Sequence, residues 1–348
     1  MMKALVVRAP GGVDVLRCED VSKPKAAPRE IVIKVHACGV CFHDIVTRNG
    51  TLKAGVKMPL ILGHEISGTV EEVGSEVRHF KVGDRVATAQ RFHVCGECRF
   101  CRTGSETLCP DRKFLGDWGL TGGYGDYVAV EADNVALVPD EVDLSQASIV
   151  SCTIGTILNA IREVGHLAPG ETALVTGAGG GLGVHAVQLC KLAGARVIAQ
   201  TTSPNKAALL RELGADEVVV HARGEDFSDE VKRLTDGRGV DVAVDNVGTP
   251  IFQPTRKSIG VGGRWLLIGQ LTGDFVPFNP AQLFLKNISM LSATSTTRKQ
   301  LQDCLELVRR GHVKPIIEAE WPLEKAAQAH ELVERGAVTG RLVLRPGL

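Results

Sequence analysis

The sequence predicts an α/β protein with two domains: a β-rich domain, and a doubly wound parallel sheet with helices on both faces. Three observations lead to this prediction. The chain has 348 residues, enough for about two domains at ~100–200 residues each. Short β-branched runs dominate residues 1–150, whereas strand-like and helix-like segments alternate from residue 172 onward. The 39 glycines sit largely in tight clusters, which indicates special backbone positions.

The β-rich part is expected to be a barrel-like or mixed all-β unit, because its strand-like runs are irregularly spaced and separated by Gly, Pro and Asp. One short helix is expected at 42–48, directly after Cys41. The predicted strands are 3–8, 30–37, 66–73, 84–89 and 125–130.

The alternating part predicts a parallel sheet, since apolar β-branched strands separated by helices must be covered on both faces. A tail with a helix at 299–310 and a last strand at 341–345 is expected to return to the β-rich domain. The domains are therefore assigned as 1–153 with 295–348, and 154–294. The six predicted strands are 172–176, 196–200, 217–220, 241–245, 263–269 and 288–294, with helices at 184–194, 204–214 and 225–235.

The charge balance argues against two classes of partner. Forty basic and forty acidic residues cancel, so no basic excess favours nucleic acid or an anionic membrane. No apolar run is expected to reach the ~18 residues that span a bilayer, and the N-terminus lacks the apolar core of a signal peptide. We expect a soluble, cytoplasmic protein that acts on a small-molecule substrate.

A glycine-rich segment follows the first predicted strand of the parallel sheet and opens a helix. Its glycines are spaced G-x-x-G-x-x-G, which lets the backbone approach a pyrophosphate at the helix N-terminus. A purely structural turn is the alternative, but the surrounding alternation favours dinucleotide binding. The candidate residues are Gly177, Ala178, Gly180, Gly181, Leu182 and Gly183.

The end of the second strand bears on the choice of cofactor. An NAD site normally has an acidic residue there for the ribose 2′-hydroxyl. This chain instead has Thr201, Thr202 and Ser203, with Lys206 nearby. Hydroxyls and an ammonium group accommodate a 2′-phosphate, so NADP is predicted over NAD; a polar turn and helix cap is the alternative.

Four of the ten cysteines are clustered as Cys95-x2-Cys98-x2-Cys101-x7-Cys109. Four thiolates are the ligand set of a structural zinc ion. An iron–sulfur centre, whose usual spacings differ, and four unligated thiols are the alternatives.

A second, dispersed set combines Cys41, His64 and Cys152. Two cysteines and a histidine leave one position of a tetrahedron open, as a catalytic zinc site requires. Asp44 and Glu65 suit roles as an orienting residue and an exchangeable ligand. From spacing alone, scattered core residues remain the alternative.

At this point the residues resemble a family, the zinc-containing medium-chain alcohol dehydrogenases. The resemblance spans the chain and includes GVC at 39–41 followed by Asp44, GHE at 63–65, VGDRV at 82–86, the four cysteines and GAGGGLG at 177–183. It implies a GroES-like β-rich catalytic domain plus a Rossmann domain, and usually a homodimer or homotetramer. It also implies catalytic zinc on Cys41, His64 and Cys152, and cofactor contacts from Thr156, Asn246, Val247, Gly269 and Arg341.

Three positions depart from this family. Typical members have Ser or Thr two residues after the first zinc ligand, where this chain has His43. A histidine common five residues after that ligand is Val46 here, and the position after Cys41, often cationic, is Phe42. The usual proton relay is therefore absent, and His43 either takes the proton itself or packs against the cofactor.

The family implies a zinc-dependent alcohol dehydrogenase or carbonyl reductase that transfers a hydride between NAD(P)H and an alcohol, ketone or aldehyde, with two zinc ions per chain. The departures resemble archaeal and bacterial relatives that reduce enoyl thioesters, so NADPH-dependent reduction of activated C=C bonds, such as that of enoyl-CoA, is an alternative. A non-catalytic cofactor-binding structural protein is an alternative of another class.

Overall fold

The computed structural model describes all 348 residues, Met1–Leu348. The chain forms two compact units, the first made of Met1–Gly155 with Ser295–Leu348 and the second of Thr156–Thr294. The chain thus enters the second unit two residues later than the sequence assignment has it, and leaves it at the assigned position.

The strands follow the β-branched runs closely. The first part of the first unit contains β1 (Met2–Val7), β2 (Arg17–Val21), β3 (Glu30–Gly39), β4 (Leu60–Ile61), β5 (Glu65–Val73), β6 (Arg85–Thr88), β7 (Arg91–His93), β8 (Lys113–Phe114), β9 (Tyr127–Glu131) and β10 (Val135–Leu137). The second unit contains β11 (Thr172–Val175), β12 (Arg196–Thr201), β13 (Glu217–Val220), β14 (Val240–Asp245), β15 (Ile259–Leu267) and β16 (Ser289–Ser292). The tail adds β17 (Ile317–Pro322) and β18 (Arg341–Arg345).

The first unit is organised around β3. Its main sheet has the order β10-β6-β5-β3-β18-β17, and β9 also pairs with β3. The antiparallel pairing of β18 with β3 brings the end of the chain next to Cys38 and Gly39. Two smaller sheets, β2-β1-β4 and β7-β8, complete the unit. Buried Val, Ile and Leu side chains of these strands form its core.

The second unit confirms the predicted doubly wound parallel sheet. Its strand order is β13-β12-β11-β14-β15-β16, and every pair is parallel. The order reverses between β11 and β14, and ligands bind at such a switch point, outside the carboxyl ends of the strands. The glycine-rich turn follows β11 and therefore lies at this position.

The structure also contains helices that the pattern did not predict. Leu144–Val164 is one helical run with two π-helical stretches, of which the first, Val150–Gly155, carries Cys152. Further helices in predicted positions are Phe42–Arg48, Gly183–Leu192, Ala207–Glu212, Ser228–Leu234 and Arg298–Arg309, and unpredicted ones are Arg99–Arg102, Phe252–Ser258, Ala281–Phe284 and Ala326–Glu334.

Helix Leu144–Val164 corrects the expectation that no segment reaches spanning length. By length and composition alone it is long and apolar enough to cross a membrane, with a mean hydropathy of 1.4 in its apolar window. However, 89% of its apolar window is buried inside the protein, as in the core helix of a globular protein.

Strand β15 begins four residues before its predicted start. The segment Ile259–Gly263 is rich in glycine, which indicates a turn when the sequence is considered alone. In the structure Ile259 pairs with Val240, and an irregularity between Val240 and Val242 absorbs the extra residues. Tertiary pairing therefore overrides the local preference.

The glycine-rich turn has no room for a side chain at Gly183, where the obstacle is backbone. A Cβ atom at Gly183 would lie 2.3 Å from the carbonyl oxygen of Gly177 and 2.5 Å from Cα of Ala178. At Gly180 the nearest atom would be 3.4 Å away, close to an ordinary contact.

We therefore expect Gly183→Ala to lower the free energy of unfolding by about 1–3 kcal/mol, since a rigid backbone must shift to admit the methyl group. Gly180→Ala is the matched control and should change it by less than about 1 kcal/mol. Chemical denaturation of both variants measures the difference. Equal losses would show that the close approach does not limit the turn.

Candidate functional site

The four clustered cysteines converge in one surface segment of the first unit. Their sulfur atoms all lie within 4.8 Å of one another. Cys95 Sγ is 3.9 Å from Cys101 Sγ and 3.6 Å from Cys109 Sγ. Tetrahedral zinc with Zn–S bonds of ~2.3 Å separates its sulfurs by ~3.8 Å, so these thiols fit a closed zinc site.

Backbone amides already stabilise thiolates in this cluster. The amide of Cys98 donates to Cys95 Sγ at 3.3 Å, and that of Cys101 donates to Cys98 Sγ at 3.5 Å. Hydrogen bonds from the amides of Cys98 and Glu97 lower the pKa of Cys95 to about 7. Burial raises the pKa of Cys101 to about 12 in the same cluster, so the lowering favours the deprotonated thiol, which metals bind, at Cys95 in particular.

The dispersed set converges as well, in the interior of the first unit. The ligand atoms of Cys41, His64, Glu65 and Cys152 all lie within 4.8 Å of one another, and all four residues are buried. Cys41 precedes helix Phe42–Arg48, His64 and Glu65 stand at the start of β5, and Cys152 lies in the π-helical stretch. Two thiols, an imidazole and a carboxylate suit zinc.

Asp44 holds the histidine of this cluster in place. Its Oδ1 lies 3.3 Å from His64 Nδ1 and accepts a hydrogen bond from the amide of Gly63 at 3.1 Å. Its Oδ2 accepts from the amide of Cys41 at 2.9 Å. His64 Nδ1 forms no hydrogen bond, but its proximity to Asp44 leaves Nε2 as the nitrogen that can bind a metal.

Arg341 lies beside the same cluster. Its Nη2 is 2.8 Å from Glu65 Oε1, 3.3 Å from Cys41 Sγ and 3.7 Å from Cys152 Sγ. The structure places Arg341 among the metal-ligand candidates, and the cofactor contact that the sequence analysis expected of it stays a prediction. Gly39 makes room for this pair, because a Cβ atom there would lie 2.1 Å from Glu65 Oε2.

The cluster shifts the proton affinity of its members. Hydrogen bonding to Cys152, with Arg341 and His64 nearby, holds the pKa of Cys41 well below its ordinary value. The same contact and burial raise the pKa of Cys152 well above its own. The favoured state therefore has a thiolate on Cys41 and a thiol on Cys152, with Arg341 beside the negative charge.

His43 lies next to the cluster and has a partner that the sequence analysis missed. Its Nε2 is 2.9 Å from Asp117 Oδ2, and Thr47 Oγ1 donates to Asp117 Oδ1 at 3.0 Å. Burial lowers the pKa of His43, but the Asp117 carboxylate outweighs it and the net direction is upward. The His43 ring centroid is 5.1 Å from that of His64. No local motif marks Asp117, since 73 residues separate it from His43.

The second unit brings the predicted NADP residues to the glycine turn. The amide of Gly177 donates to Gln200 Oε1 at 3.2 Å, which fixes the turn on the end of β12. Lys206 is buried, and its Nζ donates to the carbonyl of Gly179 at 3.5 Å. Thr201 is buried and its Oγ1 accepts from the amide of Ser203, whereas Thr202 is exposed.

Asn246, Val247 and Gly269 line the other side of the turn. Asn246 Nδ2 donates to the carbonyl of Thr176 at 3.0 Å, while its buried Oδ1 has no partner in the protein. A Cβ atom at Gly269 would lie 2.1 Å from the carbonyl oxygen of Asn246. An unpartnered buried amide oxygen fits a site that a polar ligand completes.

Asp245 orders these residues and was also missed. Its Oδ1 accepts from the Thr176 hydroxyl and from the amides of Val247 and Gly248, each at 3.0 Å. Its Oδ2 accepts from Trp265 Nε1 at 3.0 Å. The signal in the sequence is an acidic residue at the end of a buried strand. Thr156 belongs to the same unit and is buried, and Gly181 and Leu182 complete the turn.

The buried Glu65–Arg341 pair yields a stability prediction. Arg341→Met should lower the free energy of unfolding by about 3–5 kcal/mol, because it leaves a buried carboxylate and thiolate without their cation. Arg345→Met on the same strand is the matched control. Its partly exposed pair with Glu320 should be worth no more than about 1 kcal/mol. Chemical denaturation of both variants compares them; similar losses would contradict the assignment of a compensating charge.

Two family models match this chain. The alcohol dehydrogenase GroES-like domain matches residues 27–140, and the zinc-binding dehydrogenase model matches residues 181–310. Acryloyl-coenzyme A reductase of Sulfurisphaera tokodaii is 34% identical over 99% of this chain and 100% of its own length. An alcohol dehydrogenase of Geobacillus stearothermophilus is 35% identical over 95% of this chain and 96% of its own length.

Solved structures are similar over the same length. The crystal structure of AibC has a TM-score of 0.91 and 42% identity, covering 100% of this chain and 96% of that chain. The sequence similarity, the fold and the two donor clusters all indicate the same family. The chain therefore belongs to the zinc-containing medium-chain dehydrogenase family.

Proposed function

We propose that this protein is a zinc-dependent alcohol dehydrogenase or carbonyl reductase, which transfers a hydride between NAD(P)H and an alcohol, ketone or aldehyde. The observation that carries the proposal is the buried convergence of Cys41, His64, Glu65 and Cys152. A purely structural zinc site needs no neighbouring acid–base group, whereas His43 and Asp117 lie beside this cluster.

The residues of the site divide the work of such a reaction. Cys41, His64 and Cys152 would hold the metal. Glu65, which forms an ion pair with Arg341 in this structure, could serve as a further ligand. When bound, zinc polarises a carbonyl oxygen and a reduced nicotinamide supplies a hydride. Nε2 of His43 is hydrogen-bonded to the Asp117 carboxylate. Nδ1 is therefore the ring nitrogen that can exchange a proton with the substrate.

The proposal includes about two zinc ions per chain, one for each donor set. We expect Cys98→Ser to lose one zinc and lower the melting temperature, since the segment loses its cross-link. Cys152→Ser should also lose one zinc but keep the fold and lose activity. Cys18→Ser, at an exposed cysteine, is the control. Less than one zinc per chain in freshly purified wild type would refute the assignment.

The proposal also includes NADP as the preferred cofactor, supported by buried Lys206 and Thr201 at the turn. Thr201→Asp should reverse the preference toward NAD, because a carboxylate repels the 2′-phosphate and binds the 2′-hydroxyl. Thr201→Asn has nearly the same size without the charge and should leave the preference in place. The readout is kcat/KM with NADPH and NADH. A wild-type enzyme that is more efficient with NADH would contradict the assignment.

A second candidate function is the NADPH-dependent reduction of an activated C=C bond, such as that of an enoyl thioester. The specific observation is the His43–Asp117 pair, which occupies the place of the hydroxyl relay. An imidazole held by a carboxylate can protonate carbon or oxygen, so the pair suits both reactions. The 34% identity to an acryloyl-coenzyme A reductase adds weight.

Substitution of His43 tests its role in either reaction. We expect His43→Ala to lower kcat by about 10²–10⁴-fold, the usual contribution of general acid–base catalysis, with zinc content unchanged. Asp117→Asn should lower kcat less, because the imidazole remains. Assays with NADPH against ketones, aldehydes and enoyl thioesters show which substrate class is reduced. A change within about twofold would mean that His43 only packs in the site.

A further inference from the structure

An open cavity of about 430 Å³ lies on the first unit, beside the cysteine cluster. None of the roles described so far uses it. Its lining contains more cationic and aromatic groups than acidic ones. The lining residues are His93, Pro110, Asp111, Arg112, Lys113 and Trp118.

The cavity is joined to His43 by two pairs of neighbouring residues. Phe114 stacks on the His43 ring with centroids 6.0 Å apart, and Lys113 beside it lines the cavity. Asp117 binds His43 Nε2, and Trp118 beside it lines the cavity. Two residues of the lining, Lys113 and Trp118, are thus sequence neighbours of two residues that contact His43.

The charges at the cavity are not neutralised. Lys113 Nζ, in the lining, lies 5.0 Å from the centroid of the Trp118 ring, and Lys57 Nζ, just outside the lining, lies 5.1 Å from it. Arg112 Nη1 donates a hydrogen bond to the carbonyl of Cys109 at 2.9 Å. Asp111 is the acidic residue of the lining.

His93 in the lining faces Glu131, with Nδ1 2.7 Å from its Oε1. The backbone around Trp118 is also fixed. The amide of Lys57 donates to the carbonyl of Asp117 at 2.8 Å, and the amide of Gly119 donates to the carbonyl of Lys57 at 2.9 Å. Lys57 and Trp118 are therefore held together by the fold.

We propose that this cavity binds the nucleotide end of a coenzyme A thioester substrate, with phosphates on Lys57, Arg112 and Lys113 and the base on Trp118. Phosphate groups pair with unneutralised Lys and Arg, and a base stacks on an indole ring. The proposal places the reacting thioester end at His43, whose contacts Phe114 and Asp117 are the sequence neighbours of Lys113 and Trp118. The proposal rests on the second candidate function and names its substrate class.

The test compares two thioesters that differ only in the nucleotide end. Crotonyl-coenzyme A carries it, whereas the crotonyl thioester of N-acetylcysteamine does not. Lys113→Glu in the zinc-loaded enzyme should raise KM for the first about tenfold or more, because a charge-assisted contact becomes repulsive. KM for the second thioester and for NADPH should stay unchanged. Lys34→Glu, at an exposed lysine of another cavity, is the matched control.

Calorimetric titration with desulfo-coenzyme A, which lacks the thiol that could bind zinc, measures the site directly. We expect the Kd to rise about tenfold in Lys113→Glu and to stay unchanged in Lys34→Glu. Equal effects of the two variants, or equal KM changes for both thioesters, would overturn the proposal. So would a rise in KM for NADPH, which would assign the cavity to the cofactor.

Two outcomes separate this inference from the function on which it rests. If desulfo-coenzyme A binds through Lys113 but no enoyl thioester is reduced, the binding site stands and C=C reduction is excluded. If both thioesters are reduced equally well by wild type, C=C reduction stands and the cavity assignment fails. Adenosine 3′,5′-bisphosphate that binds as tightly as desulfo-coenzyme A, without any effect of Lys113→Glu on thioester KM, would indicate a free-nucleotide site and overturn the assignment.

Discussion

A buried carboxylate and a buried guanidinium hold the first unit together around its donor cluster. Glu65 and Arg341 come from opposite ends of the chain, and neither could be removed from water without the other. Their meeting requires β3 to pair with β5 on one side and with β18 on the other. It also requires glycine at position 39, where a side chain would collide with the Glu65 carboxylate. The return of the tail thus has an electrostatic reason as well as an apolar one.

The orientation of the histidine ligand depends on a second buried network. Tyr124 OH lies 3.3 Å from Asp44 Oδ2 and 3.0 Å from His330 Nε2, and His330 Nδ1 is 3.1 Å from Arg48 Nη1. Burial lowers the pKa of His330 to about 4, so it is neutral at physiological pH and can accept as well as donate. A chain of buried polar contacts from Arg48 through His330 and Tyr124 therefore ends at Asp44, which lies next to His64.

In the second unit, close backbone packing and hydrogen bonds to Asp245 fix the geometry of the candidate cofactor site. Its turn must bring backbone amides close to a ligand, so side chains are excluded at Gly183 and Gly269. Asp245 then fixes the neighbouring strand end through four hydrogen bonds, two of them from backbone amides. Rigid backbone at a strand end is what allows a site to be prepared before its ligand arrives.

The sequence by itself determined the alternation of strands and helices, the glycine turn and the four-cysteine set, because periodicity, glycine spacing and ligand chemistry are local properties. The dispersed set around Cys41 and His64 followed only from the family resemblance. The sequence did not determine which distant residues meet. Asp117 reaches His43 and Arg341 reaches Glu65 only through strand pairing and loop packing, which no short-range pattern records. Likewise, helix Leu144–Val164 and the early start of β15 follow from burial and pairing. The tertiary structure decided these features, because long-range contacts outweigh weak local propensities.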